Sequence, residues 1–135
     1  GEMNGGTVTV YGPSGNGDGA IDYTGTFNVN GGTLLAGGSS GMAVMPSDSS
    51  GVNSLMIDAS GTVEIQDESG ETVLTYTSEK NYANLVIASE KLETGKIYTI
   101  LQDGNPVTNV TIQSTVTDLS TKRNMELEQR QNMAV

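Results

Sequence analysis

GNGDGAIDYTGTFNVNGGTLLAGGSSG, running from Gly15 to Gly41, sets the architecture expected of the whole chain. It holds half of the chain's eighteen glycines, two aspartates four residues apart (Asp18 and Asp22), and no positive charge. It alternates glycine turns with short strand-like runs. Glycine at such corners supplies positive φ and close backbone approach. The pattern predicts stacked turns of a β-solenoid with an acidic corner. Asp18, Asp22 and the neighbouring Asn16 are oxygen donors of the kind a hard cation such as calcium takes. The same aspartates also suit a plain turn-capping role.

Gly5-Gly6-Thr7, upstream of this stretch, and Gly31-Gly32-Thr33, within it, repeat at an offset of 26 residues. One coil of a parallel β-helix has that length, within the range of repeat architectures. Thr7–Tyr11 alternates polar and apolar residues as a strand does. Residues 1–60 show no helical periodicity. From Leu55 the texture changes, with strands expected at Leu55–Asp58, Thr62–Gln66, Thr72–Tyr76, Asn84–Ala88, Lys96–Leu101 and Val107–Val116. Asp67–Gly70 and Asp103–Pro106 supply tight turns between them. This half reads as antiparallel.

The expected architecture is therefore all-β: short right-handed parallel β-helix coils over 1–54, antiparallel strands and hairpins packed on the solenoid end over 55–117, and a polar C-terminal tail over 118–135. The tail is rich in helix formers but lacks a clean apolar stripe. It reads as a solvated tail, a marginal helix or an inter-subunit arm.

Charge is distributed unevenly. Residues 1–79 carry ten acidic side chains and no Lys or Arg, whereas residues 80–135 carry six of each sign, for a net charge of −10. A surface without cations is a poor partner for nucleic acid or an anionic membrane. No apolar run approaches the ~20 residues of a membrane span. The chain has no Cys and no His, which excludes disulfides, thiol chemistry and the usual zinc sites. The acidic face suits an extracellular protein kept in solution by its charge.

Several blocks together resemble one bacterial family. They are Gly17-Asp18-Gly19-Ala20-Ile21-Asp22-Tyr23-Thr24-Gly25-Thr26-Phe27, Gly31-Gly32-Thr33-Leu34, Ala36-Gly37-Gly38-Ser39-Ser40-Gly41-Met42-Ala43 and Pro46-Ser47-Asp48-Ser49-Ser50. The segment Tyr82–Ile100 adds to the likeness. The family is the secreted carbohydrate-binding-domain proteins with a pectate-lyase-like right-handed parallel β-helix, and the likeness spans roughly residues 5 to 102. It implies a secreted or cell-surface protein that binds plant-type or acidic polysaccharide with calcium along the helix. Members carry several Gly-Asp-Gly turns where this chain has one, so the likeness is to the last coils of a longer solenoid. Such an open end exposes strand edges. The alternative expectation is thus a structural subunit of an extracellular filament or surface layer, a homo-oligomer built by end-to-end β-pairing.

Tyr11, Tyr23, Tyr76, Tyr82 and Tyr98 are the residues able to stack broadly on sugar rings. Tyr11 and Tyr23 flank the glycine turns and are the carbohydrate-binding candidates. Catalysis is not expected. A lyase of the pectate type wants a basic residue beside calcium, and residues 1–79 hold none.

Overall fold

The computed structural model describes residues 2–11, 28–38 and 45–120. Nine strands account for its regular structure: β1 (Glu2–Tyr11), β2 (Asn28–Gly38), β3 (Asn53–Asp58), β4 (Val63–Gln66), β5 (Thr72–Tyr76), β6 (Asn84–Ser89), β7 (Ile97–Gln102), β8 (Asn105–Thr111) and β9 (Val116–Asp118). They form a mixed five-stranded sheet of order β1-β2-β6-β3-β9 and an antiparallel four-stranded sheet of order β5-β4-β7-β8. There is no helix among the described residues.

The glycine repeat has a direct structural counterpart. β1 and β2 are parallel, and Thr7–Tyr11 pair with Thr33–Gly37 at the 26-residue offset of the Gly-Gly-Thr motif. Just before it, Asn4 pairs with Gly31, so the register shifts by one residue at the glycines. Both second glycines have positive φ, 77° at Gly6 and 80° at Gly32. A Cβ on Gly32 would strike the Gly6 carbonyl oxygen and lie 2.7 Å from the Gly5 carbonyl carbon. The two irregularities thus stack backbone on backbone, an approach only glycine permits. Beside them the Asn30 Nδ2 donates to the Asn4 Oδ1 at 3.2 Å.

Pro46–Ser50, one of the blocks behind the family resemblance, fastens the next segment to the start of β2. The Ser50 Oγ accepts from the Val29 amide at 2.9 Å, and the Ser49 Oγ donates to the Asn28 Oδ1 at 3.0 Å. The Val52 amide adds a bond to the Val29 carbonyl at 3.2 Å.

β6 joins the two halves of the chain. It pairs antiparallel with β2 on one side (Leu35↔Ile87) and with β3 on the other (Leu55↔Ile87). All six of its residues are buried. A strand covered on both faces shows a continuous apolar run rather than alternation, as Leu85-Val86-Ile87-Ala88 does. Beyond residue 55 the antiparallel expectation holds for β4–β5, β4–β7 and β7–β8. It fails at the end. The single strand expected over Val107–Val116 is two strands in different sheets, because β9 leaves the β7–β8 hairpin and pairs parallel with β3. Ile112 is fully buried at the departure, its amide held by the Lys96 carbonyl at 3.0 Å.

Among the described residues, two apolar clusters hold the sheets. The larger lies between them and combines Leu35, Leu55, Ile57, Leu85 and Ile87 of the mixed sheet with Val63, Ile65, Leu74, Tyr76, Tyr98 and Ile100 of the antiparallel one. The second, on the opposite face of the mixed sheet, contains Val29, Leu34, Ala36, Val52, Met56, Val86 and Ala88, with Met3, Val10 and Met45 packed against it. Truncating any one of the buried Leu or Ile side chains to Ala would cost about 2–5 kcal/mol.

Candidate functional site

Burial separates the tyrosines. Tyr76, Tyr82 and Tyr98 are core residues, 2%, 7% and 2% exposed, whereas Tyr11 is 48% exposed. Each buried hydroxyl has a partner, as buried polar groups require. Tyr76 donates to the Val10 carbonyl at 3.1 Å, Tyr82 to the Gly61 carbonyl at 2.6 Å, and Tyr98 to the Lys91 carbonyl at 2.9 Å. Burial raises the Tyr76 hydroxyl above its ordinary pKa. Burial, then the neighbouring Tyr76 and Asp103, pushes Tyr82 up to about 12.

Tyr11 is the last residue of β1, paired with Gly37. That register turns its ring toward the antiparallel sheet, where it stacks on Tyr76 with centroids 5.8 Å apart and planes 29° from parallel. Tyr76 is braced in turn by Tyr82, edge to face at 5.1 Å and 86°. A supported ring with an open side is a platform for another flat, partly apolar surface.

Around Tyr11 runs an open groove of roughly 550 Å³, lined among the described residues by Thr77, Ser78, Glu79 and Lys80. Their segment follows directly from β5, the strand that ends in Tyr76, and the Lys80 amide donating to the Ser78 Oγ at 3.1 Å shapes it. The groove therefore offers an aromatic face, two hydroxyls, a carboxylate and an ammonium group. Lys80 is the cation that residues 1–79 lack, and the fold brings it beside Tyr11 from 69 positions away in sequence. Nothing in the local sequence joins the two. The one hint was that the first basic residue of the chain follows a run of hydroxyl side chains.

Two smaller openings have less to offer. The one of about 240 Å³ at Asp67–Ser69 and Lys96–Tyr98 sits at a hairpin tip. There the Asp67 carboxylate is already engaged by the Ser69 and Glu71 amides and the Ser69 hydroxyl, at 2.9, 3.1 and 2.6 Å. The Ser69 hydroxyl is the main cause of its lowered pKa. The other, about 200 Å³, opens between the sheets and presents mostly apolar walls, including Val107 and Leu119.

Asn16, Asp18, Asp22 and Tyr23 lie outside the described residues. Among the described residues no three acidic side chains are grouped so as to hold a metal ion. No helix among them is long and apolar enough to cross a membrane. Comparison with protein-family models, with curated proteins and with solved structures gave no match.

Proposed function

We propose that this chain is a non-catalytic, extracellular carbohydrate-binding protein that holds acidic or plant-type polysaccharide against Tyr11. The observation that carries the reading is the Tyr11 ring, backed on one side by Tyr76 and open on the other, in a groove that also contains Lys80. A sugar ring presents an apolar face to the aromatic plane, and its hydroxyls meet Thr77 and Ser78. The carboxylate of a uronic acid meets Lys80, which explains how a chain of net charge −10 would accept an acidic ligand. Within the same reading, β1 and β2 are one step of a right-handed parallel β-helix, supported by their parallel pairing at a 26-residue offset. Calcium held by Asp18, Asp22 and Asn16 would assist binding to acidic chains.

Binding to polygalacturonate and to a neutral glucan, measured by affinity electrophoresis or calorimetry, tests this. The expected result is binding of polygalacturonate that is lost in Tyr11→Ala and weakened in Lys80→Ala while the melting temperature changes little. Absence of binding to both polymers at millimolar calcium, or full binding by Tyr11→Ala, would overturn it.

A further inference from the structure

β1 is an edge strand of ten residues, and β2 is its one strand partner among the described residues. Native sheets normally protect such edges with charge, proline, shortness or a bulge. Here the irregularity at Asn4–Thr7 guards the first half. The second half, Thr7–Tyr11, carries no charge and no proline. It is also exposed: Thr7, Val8, Thr9 and Tyr11 are all open to solvent, Val8 at 43%. Its sequence is self-complementary, since Val8-Thr9-Val10 reads the same in both directions.

We infer that the Thr7–Tyr11 edge pairs antiparallel with the same segment of a second copy of this chain, across a two-fold axis at Thr9. Residues directly opposite each other in an antiparallel pair lie on the same face of the sheet. Val8 of one copy then meets Val10 of the other, twice. Val10 already packs against the second apolar cluster, so the pairing continues that apolar face from copy to copy and covers the exposed Val8. Thr7 meets Tyr11 on the other face. Two five-stranded sheets become one of ten. The same patch serves both subunits, so the contact is isologous and closes at a dimer. A filament would need a different, complementary edge on each molecule.

The contact is one strand edge, and interfaces below about 1,200 Å² are weak. A micromolar dissociation constant is therefore expected, tightening as salt screens two bodies of like charge. Sedimentation equilibrium of the wild type should show a monomer–dimer equilibrium. Val8→Lys, which places a charge on the edge at an exposed position, should remain monomeric with an unchanged circular dichroism spectrum. The chain has no native cysteine, so single cysteines report the register. Opposed Cα atoms lie about 4.5–5.5 Å apart, within disulfide range. Thr9→Cys should therefore form a disulfide dimer rapidly under mild oxidant. Thr7→Cys, offset from its own copy by four residues or roughly 13 Å, should not. A wild type that stays monomeric, open-ended growth, undiminished dimerisation of Val8→Lys, or equal crosslinking at both cysteines would each overturn the proposal.

Discussion

The hydroxyl of Tyr76 occupies the space in which a side chain at Gly37 would begin, and it donates from there to the Val10 carbonyl at 3.1 Å. One side chain of the antiparallel sheet thus touches both strands of the parallel pair. Its ring also supports Tyr11. The missing Cβ at Gly37 is what lets a core tyrosine reach the outermost strand of the other sheet.

Gly37→Ala should therefore destabilise the protein by about 1–3 kcal/mol, the usual range for overpacking a core. The added carbon would lie 2.9 Å from the Tyr76 Cζ as well as against the hydroxyl. In a Tyr76→Phe background the hydroxyl is gone and the cost should shrink. Urea unfolding of the wild type, both single variants and the double variant gives the coupling. An equal cost of Gly37→Ala in both backgrounds would refute the relationship.

Gly6 and Gly32 share a backbone conformation but not a neighbourhood. A Cβ on Gly6 meets nothing within 4 Å, whereas one on Gly32 runs into Gly5 and Gly6. Gly6→Ala should cost only the conformational penalty of a left-handed residue, about 1–2 kcal/mol. Gly32→Ala should cost clearly more, because it also pushes β1 away from β2. Thermal unfolding of the two variants side by side decides it, and equal losses would speak against the stacked glycines.

Alkaline pH should weaken the fold through Tyr82. Its pKa is about 12 in the folded state, against about 10 in an unfolded chain. The stabilising contribution is whole below pH 10 and is lost as the pH climbs from 10 to 12, because the unfolded chain releases its proton first. The loss should be on the order of 1–2 kcal/mol, less than the full shift would give because nearby water screens the charged form. Tyr82→Phe should start lower by about 1 kcal/mol for the missing hydrogen bond to Gly61, then fall less steeply over that window. Parallel slopes for the two proteins would show that another group is responsible.

If calcium sits on Asp18 and Asp22, a chelator should lower the melting temperature of the wild type and leave Asp22→Ala unmoved. Scanning calorimetry with and without EDTA reads this directly. Identical curves for the wild type in both buffers would leave the aspartates with turn-capping alone.

Local signals in the sequence were reliable wherever the structure they specify is local. The 26-residue spacing of the Gly-Gly-Thr repeat is the offset at which Thr7–Tyr11 pair with Thr33–Gly37, although at the glycines Asn4 pairs with Gly31, one residue out of step. The hairpins at Asp67–Gly70 and Asp103–Gly104 were legible from turn chemistry, the second with Asp103 itself at φ 50°. What could not be read was set by distant partners. Leu85–Ala88 looks the same whether its neighbours are β2 and β3 or any other pair, since a strand buried on both faces carries no periodicity. The break between β8 and β9 left no mark either, because Gln113–Thr115 is as compatible with a strand as with a crossing between sheets. Of the five tyrosines only their burial distinguishes Tyr11 from Tyr76, Tyr82 and Tyr98, and burial is a property of the assembled sheets. Lys80 beside Tyr11 belongs to the same class of fact.

The interlocked glycines at Gly5-Gly6 and Gly31-Gly32 have one more consequence. They act as an index mark between the strands. A one-residue slip of β1 along β2 would carry Gly32 away from the Gly5-Gly6 backbone it fits against, and would turn every side chain of β1 to the opposite face of the sheet. The glycines therefore reject misaligned pairings as well as permitting the right one.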